Sequence, residues 1–239
     1  MSPPLIETRG LSMHFGGVHA VQNVDFAVAE GELRCLIGPN GAGKSTFFKM
    51  LTGQLRPTGG VIRFRSTDIT GHAPHEIARL GIGIKTQVPS VFNALSVHEN
   101  LWIAAARRQR RKAAADTVVA SIERLGLGGI ASTPVGQLAH GQRQRVELGM
   151  VLCTQPTVVL LDEPAAGLTE DETVQTADII QDINRTHALI VVEHDMRFIR
   201  RIARRITVFD RGAILTEGDV EEVFRNPTVR EVYLGRRAA

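Results

Sequence analysis

Residues 38–46 read Gly-Pro-Asn-Gly-Ala-Gly-Lys-Ser-Thr and match the phosphate-loop pattern G-x-x-x-x-G-K-[ST] without a mismatch. Gly38, Gly41 and Gly43 let the backbone turn its amide hydrogens inward, into a concave nest for phosphate oxygens. Lys44 can reach the β- and γ-phosphates, and the Ser45 hydroxyl can ligate Mg²⁺. The expected nucleotide contacts are therefore Asn40, Gly41, Ala42, Gly43, Lys44, Ser45 and Thr46. Well downstream, residues 158–163 read Val-Val-Leu-Leu-Asp-Glu, an apolar run ending in two carboxylates. An Asp at such a strand end holds Mg²⁺ in phosphate-loop NTPases, which suits Asp162, and Glu163 beside it can polarise an attacking water. The chemistry expected is the binding of a nucleoside triphosphate with Mg²⁺.

The neighbouring sequence supplies elements that could hold these groups. Residues 33–37 form a short apolar run suited to a buried strand, and residues 47–51 suit the first turns of a helix, whose positive N-terminal end would face the phosphates. Residues 5–28 alternate in the β manner around a turn at Gly16-Gly17, and Glu30-Gly31 makes a second turn, so the chain opens on antiparallel strands. A loop over 52–60, a strand over 61–64 and a short helix over 74–80, with Pro74 in its first turn, come next. A strand over 83–86 ends at Gln87. From 96 to 125 the pattern is helical, opened by a capping box of Ser96 and Glu99 and closed by Gly126 and Gly128-Gly129. Short aliphatic runs at 158–161, 188–192 and 206–209 then alternate with helical patterns, which implies a parallel sheet. The fold expected is α/β: a phosphate-loop NTPase core with a mixed parallel sheet, an antiparallel β subdomain and an inserted α-helical lobe. One domain spans 1–239, with the lobe at about 88–156 and a short C-terminal tail at 219–239.

Composition narrows the class. The chain has 239 residues, 43% hydrophobic and 22% charged, with a formal charge of +3, which is ordinary for a globular protein. Its longest aliphatic runs fall far short of the ~20 residues of a membrane-spanning helix. The first eleven residues lack the basic start and apolar core of a secretory signal. Cys35 and Cys153 sit in apolar surroundings without metal-ligand spacing, and read as free buried thiols in a reducing cytoplasm. His72, His75 and His98 lie in polar, loop-like surroundings that point to no metal site. The cluster Arg-Arg-Gln-Arg-Arg-Lys at 107–112 reads as a solvated helix face, with contact to anionic lipid as the alternative. Residues 197–205, with Phe198, Ile199 and Ile202 at helical spacing, read as an amphipathic helix.

Five stretches in order resemble the ATP-binding subunits of ABC transporters over essentially the whole chain. They are residues 38–46, Gln87, residues 138–142 (Leu-Ala-His-Gly-Gln), residues 160–163, and His194 after an apolar run. The resemblance implies an ATPase with ATP and Mg²⁺ as its cofactors. It implies that Gln87 senses the metal and the water and couples to a transmembrane partner, while His194 holds the γ-phosphate and orients the catalytic water. It implies a catalytic set of Glu163, His194, Gln87 and Lys44, a metal set of Ser45, Gln87 and Asp162, and adenine stacked on Phe15. Residues 138–142 resemble the signature motif, which works in trans: two ATPase domains pair head to tail, and Ala139, His140, Gly141 and Gln142 complete the partner's site.

Two places depart from the pattern. Ala139 stands where Ser is usual and His140 where Gly is usual, which removes one hydroxyl donor to phosphate; His140 is one candidate to replace it. Thr169 stands where the family usually has Asp, in the stretch that links the two sites of the pair. The residues for the chain's own site are intact, so the expectation is an active ATPase whose two composite sites can be unequal, most simply in a heterodimer.

Residues 80–83, 87–92 and 95–101, with the C-terminal stretch 222–235, resemble the importers of branched-chain amino acids, urea and short amides. The His-Gly-Gln of the signature and Pro89-Ser90-Val91-Phe92 lean towards the urea-type members, whereas Ile84-Lys85-Thr86 departs from the Arg-x-Phe usual before the Gln. This implies two membrane permease subunits, a second ABC ATPase, a periplasmic substrate-binding protein acting indirectly, and no nucleic acid. The chain would then sit peripherally on the cytoplasmic face of the inner membrane, held by the permeases. The alternative is a non-transport ABC ATPase in a soluble assembly complex, such as that of iron–sulfur cluster biogenesis.

Overall fold

The computed structural model describes residues 3–86 and 90–234. The chain opens with β1 (Ile6–Phe15) and β2 (Val18–Val28), then β3 (Leu33–Ile37), α1 (Lys44–Leu51), β4 (Gly59–Phe64) and β5 (Thr67–Asp68). Next come α2 (Pro74–Leu80), β6 (Ile82–Lys85), α3 (Val97–Ala106), α4 (Arg111–Arg124) and α5 (His140–Cys153). The remainder alternates as β7 (Val158–Asp162), α6 (Glu170–Asn184), β8 (Ala188–Val192), α7 (Met196–Ile202), β9 (Arg205–Asp210) and β10 (Ala213–Asp219). Two short helices, α8 (Val220–Arg225) and α9 (Pro227–Leu234), close the described chain.

Two sheets carry these elements. One is antiparallel, in the order β2-β1-β4-β5; the other runs β10-β9-β3-β8-β7-β6, parallel except for the β9–β10 pair. Strands β3 and β8 are buried along their whole length, as expected of central parallel strands covered on both faces. The two-residue period of a strand then sorts their side chains between two cores. Leu33, Cys35, Ile37, Val159, Leu161, Leu189 and Val191 face the layer of α3–α7. Leu36, Val158, Leu160, Ala188, Ile190 and Val192 face α1 and the antiparallel sheet, with Phe47 and Phe48 between them. Both cysteines are free and buried, as their apolar surroundings predict.

The helices α3–α5 leave the large sheet after β6 and return at β7, and β6 and β7 are adjacent parallel strands. Ser96 opens α3 with the expected capping box: its hydroxyl accepts from the Glu99 amide at 3.2 Å, and the Glu99 carboxylate accepts from the Ser96 amide at 2.8 Å. The helix predicted over 96–125 is interrupted, however, at 107–110. There two side chains cap other helices: Arg108 donates to the Ala78 and Arg79 carbonyls near the end of α2, and Gln109 donates to the Cys153 carbonyl at the end of α5. Carbonyls at two helix C-termini, that of Ala78 already accepting from the Gly81 amide, draw these side chains away from continuing this helix. The cluster at 107–112 is therefore partly committed to structure. The amphipathic reading of 197–205 narrows to α7, which buries Phe198, Ile199 and Ile202.

Candidate nucleotide-binding and hydrolysis site

The phosphate loop joins β3 to α1 at the carboxyl end of the parallel strands, where open α/β sheets place ligands. Its glycines are required by geometry. At Gly38, with φ of 151°, a Cβ would stand 2.3 Å from the Phe209 carbonyl oxygen; at Gly43, with φ of 101°, it would stand 2.5 Å from that of Ala20. The first turn of α1 has neither a side-chain cap nor an acidic residue, so its amides and positive dipole end are left to a ligand. Lys44 is buried and folds over the loop, donating to the Gly38 carbonyl at 2.6 Å and the Pro39 carbonyl at 3.0 Å. Burial lowers its pKa, while Glu163 and Asp162 pull it back up.

An open pocket of about 480 Å³ lies along the loop. Residues 40–46 and Glu163 line it together with Val18, His19, Gln22 and Arg211. Phe15 pairs in register with Val18 at the end of the first hairpin and is 47% exposed, so it is a surface aromatic beside the pocket and not a core one. His19, Gln22 and Arg211 carry no motif in the sequence; tertiary packing brings them here. The Gln22 side chain donates to the Arg211 carbonyl at 3.0 Å, and the Gly212 amide donates to the Ala42 carbonyl at 3.0 Å, which seats the β9–β10 turn on the phosphate loop.

Asp162 ends β7 and Glu163 follows with φ of 47°, its amide donating to the Val192 carbonyl at 2.9 Å. Strands β7 and β8 are neighbours, so His194, two residues beyond β8, reaches the same place: its Nδ1 lies 3.5 Å from Glu163 Oε1. Burial first, and Glu163 second, raise the pKa of Asp162. Ser45 and Asp162 offer a hydroxyl and a carboxylate, hard oxygen donors that suit Mg²⁺, which takes few protein ligands and completes its shell with phosphate and water. Among the described residues no group of three or more His, Cys, Asp or Glu could hold a metal by itself. Gln87 lies outside the described residues. Its described flanks meet one carboxylate on α5: Glu147 Oε2 lies 3.5 Å from Lys85 Nζ, and Glu147 Oε1 accepts from the Ser90 amide at 3.1 Å.

Residues 139–142 are not among those lining the pocket; they form the start of α5. Ala139 is the N-cap without a side-chain acceptor, though Gln142 accepts from its amide at 3.1 Å. Gly141 is packed so closely that a Cβ would stand 2.4 Å from Glu172 Oε1. His140 faces its own chain: its Nε2 lies 3.2 Å from the Ala166 carbonyl oxygen and 2.8 Å from the Gln144 side-chain Nε2. Thr169 is the N-cap of α6, its hydroxyl accepting from the Glu172 amide at 3.3 Å. Thr and Asp are both good N-cap residues, so the departure preserves that local task.

The ABC transporter family pattern matches residues 21–166, and that of the branched-chain amino acid ATP-binding cassette transporters matches residues 213–239. LivG of Salmonella typhimurium, a high-affinity branched-chain amino acid transport ATP-binding protein, is 38% identical over 98% of this chain and 99% of its own. BraF of Pseudomonas aeruginosa, described in the same words, is 36% identical with the same coverage. The solved ADP conformation of MJ1267, an ATP-binding cassette of an ABC transporter, is similar with a TM-score of 0.87 at 27% identity, covering 98% of this chain and 100% of that one.

Proposed function

The chain belongs to the ABC transporter family as an ATP-binding subunit and is an ATPase, and from that premise we propose that it energises an importer of branched-chain amino acids or related polar small molecules. The observation that carries the proposal is the match of the C-terminal stretch 213–239 to the branched-chain amino acid branch, together with the full-length likeness to LivG and BraF. Urea and short amides are a second reading of the cargo, favoured by His140-Gly141-Gln142 and by Pro89-Ser90-Val91-Phe92.

In the proposed cycle the amides of residues 40–46 and Lys44 hold the phosphates of ATP, with Phe15 against the adenine. Ser45, Asp162 and Gln87 would hold Mg²⁺, which when bound would neutralise charge on the phosphate oxygens. Glu163 polarises the attacking water, and His194, beside it, orients that water and contacts the γ-phosphate. Ala139, His140, Gly141 and Gln142, at the start of α5, are the segment that would meet the nucleotide of a second ATPase subunit, a homologous chain or another copy, once the His140 ring turns away from Ala166. Closure of the pair on ATP and reopening after hydrolysis would drive the permeases.

The permeases need a place to grip. A groove of about 670 Å³ runs between α2 and β6 on one side and α3 and α5 on the other. Its large exposed apolar residues are Phe92 and Ile103, 51% and 36% exposed, and Arg79, Arg107 and Arg108 also line it. We assign it to a cytoplasmic helix of a permease, with an apolar face for Phe92 and Ile103 and a carboxylate for the arginines. Among the described residues no helix is long and apolar enough to cross a membrane. The chain would thus sit at the cytoplasmic face of the inner membrane through its permeases, with a periplasmic binding protein delivering cargo from the other side.

The ATPase part is tested with Glu163→Gln. Nucleotide should still bind, measured with a fluorescent ATP analogue, while turnover falls by about two orders of magnitude or more, the scale on which loss of general-base assistance acts. Turnover at the parental rate would remove Glu163 from its role.

A further inference from the structure

We propose that Glu193 is a positioning residue for hydrolysis, whose single carboxylate holds two loops of the site in register. Glu193 is 1% exposed and follows directly on β8. One oxygen, Oε1, accepts from the Ala165 amide at 2.9 Å, on the loop that leaves β7 behind Asp162 and Glu163. The other, Oε2, accepts from the His194 amide at 2.9 Å and the Asp195 amide at 3.3 Å. These amides lie outside regular helices and strands, and the carboxylate gives them the acceptor that a ladder would otherwise supply. Burying a carboxylate is costly unless it is fully hydrogen-bonded, and here it is met by three donors from two segments.

The consequence is geometric. His194 Nδ1 stands 3.5 Å from Glu163 Oε1, and the backbones of both residues adjoin Glu193's grip, His194 directly and Glu163 two residues before Ala165. The same loop continues through Ala166, whose carbonyl oxygen lies 3.2 Å from His140 Nε2 and accepts from the Gln144 side chain at 3.1 Å. A displacement at His194 is thereby transmitted through Glu193 to Ala165, and one residue later to the signature helix that serves the other subunit. The inference rests on the reading of His194 as a γ-phosphate residue.

The test compares Glu193→Gln and Glu193→Ala with His194→Ala, using the full chain with Mg²⁺ and ATP. Gln keeps the volume but sets an amide NH₂ against backbone donors, so one arm of the grip is lost. For Glu193→Gln, kcat should fall by about ten- to a hundredfold, as expected when reacting groups are displaced by around 1 Å. The Kd for a fluorescent ATP analogue and the melting temperature should stay close to the parental values. Parental kcat in Glu193→Gln, with His194→Ala inactive, overturns this inference alone. A kcat loss that merely tracks loss of affinity and melting temperature also overturns it, because that marks a purely structural role. Parental turnover in His194→Ala would instead overturn the reading of His194. Glu193→Ala removes both arms and should be at least as slow; should it not fold, Glu193→Gln still decides.

Discussion

Lys44 rests its charge on two carbonyls of its own loop, and a triphosphate must take it from them. That exchange favours the ligand, since a hydrogen bond between two charged groups is stronger than one to a neutral carbonyl. Lys44→Ala should weaken ATP binding by about ten- to a hundredfold, the scale of a charge-assisted bond, measured by titration of a fluorescent analogue. Ala139 gives a second prediction. As an N-cap without an acceptor it leaves α5 uncapped, and Ala139→Ser should stabilise the fold by about 1 kcal/mol in thermal or denaturant unfolding. The phosphate loop, Asp162-Glu163 and His194 were legible in the sequence because their residue types state their chemistry and neighbouring parallel strands bring them together. His19, Gln22 and Arg211 were not, because their approach depends on how the β1–β2 hairpin and the β9–β10 turn pack on the loop. The ring of His140, a candidate replacement donor for the partner's phosphate, is turned in the isolated chain towards Ala166.

At the scale of elements, caps and a buried cation organise the fold. Glu99 and Glu172 accept hydrogen bonds from Ser96 and Thr169 in matched capping boxes. These bonds hold both carboxyls below the ordinary value of 4.5, from the Ser96 hydroxyl first for Glu99 and from the Thr169 amide first for Glu172. A carboxyl lowered in the folded state contributes stability that is present above its unfolded value and lost as pH falls through the folded one. The starts of α3 and α6 should therefore fray as pH drops below about 4.5, seen as lower amide-exchange protection, relative to the intrinsic rate at each pH, near residues 96–99 and 169–172. Protection there unchanged by acid would contradict the capping account. Arg34 is a buried cation: it is 2% exposed, 2.7 Å from both Glu32 and Glu217, and hydrogen-bonded to the Thr207 hydroxyl and the Ala27 carbonyl. It bridges β2, β3, β9 and β10, so Arg34→Ala should cost about 3 kcal/mol in unfolding, the scale for a broken buried pair. Hydrophobic period placed the strands other than β5 and β10, which the sequence reading does not name, and Ser96 placed the start of α3. The break between α3 and α4 was hidden because its cause, the carbonyls near the ends of α2 and at the end of α5, is remote in sequence.

At the scale of the whole molecule, the groove at the seam between the sheet and the helices α3–α5 is the proposed permease site. Glu147 of α5 contacts Lys85 at the end of β6 and the Ser90 amide, so α5 anchors both of these residues next to the groove. Replacing Phe92 with Asp should leave ATP affinity unchanged and release the chain from membranes, scored by co-sedimentation with its permeases. The decisive measurement is to tag this chain, solubilise native membranes gently, identify what co-purifies, and follow ATP turnover of that complex with the associated binding protein loaded in turn with leucine, valine, urea and short amides. We predict two multi-span permeases and a second short ATPase, with turnover stimulated by a branched-chain amino acid or, on the second reading, by urea or an amide. Recovery of soluble scaffold proteins or nucleic acid, without permeases, would leave the ATPase chemistry standing and contradict transport.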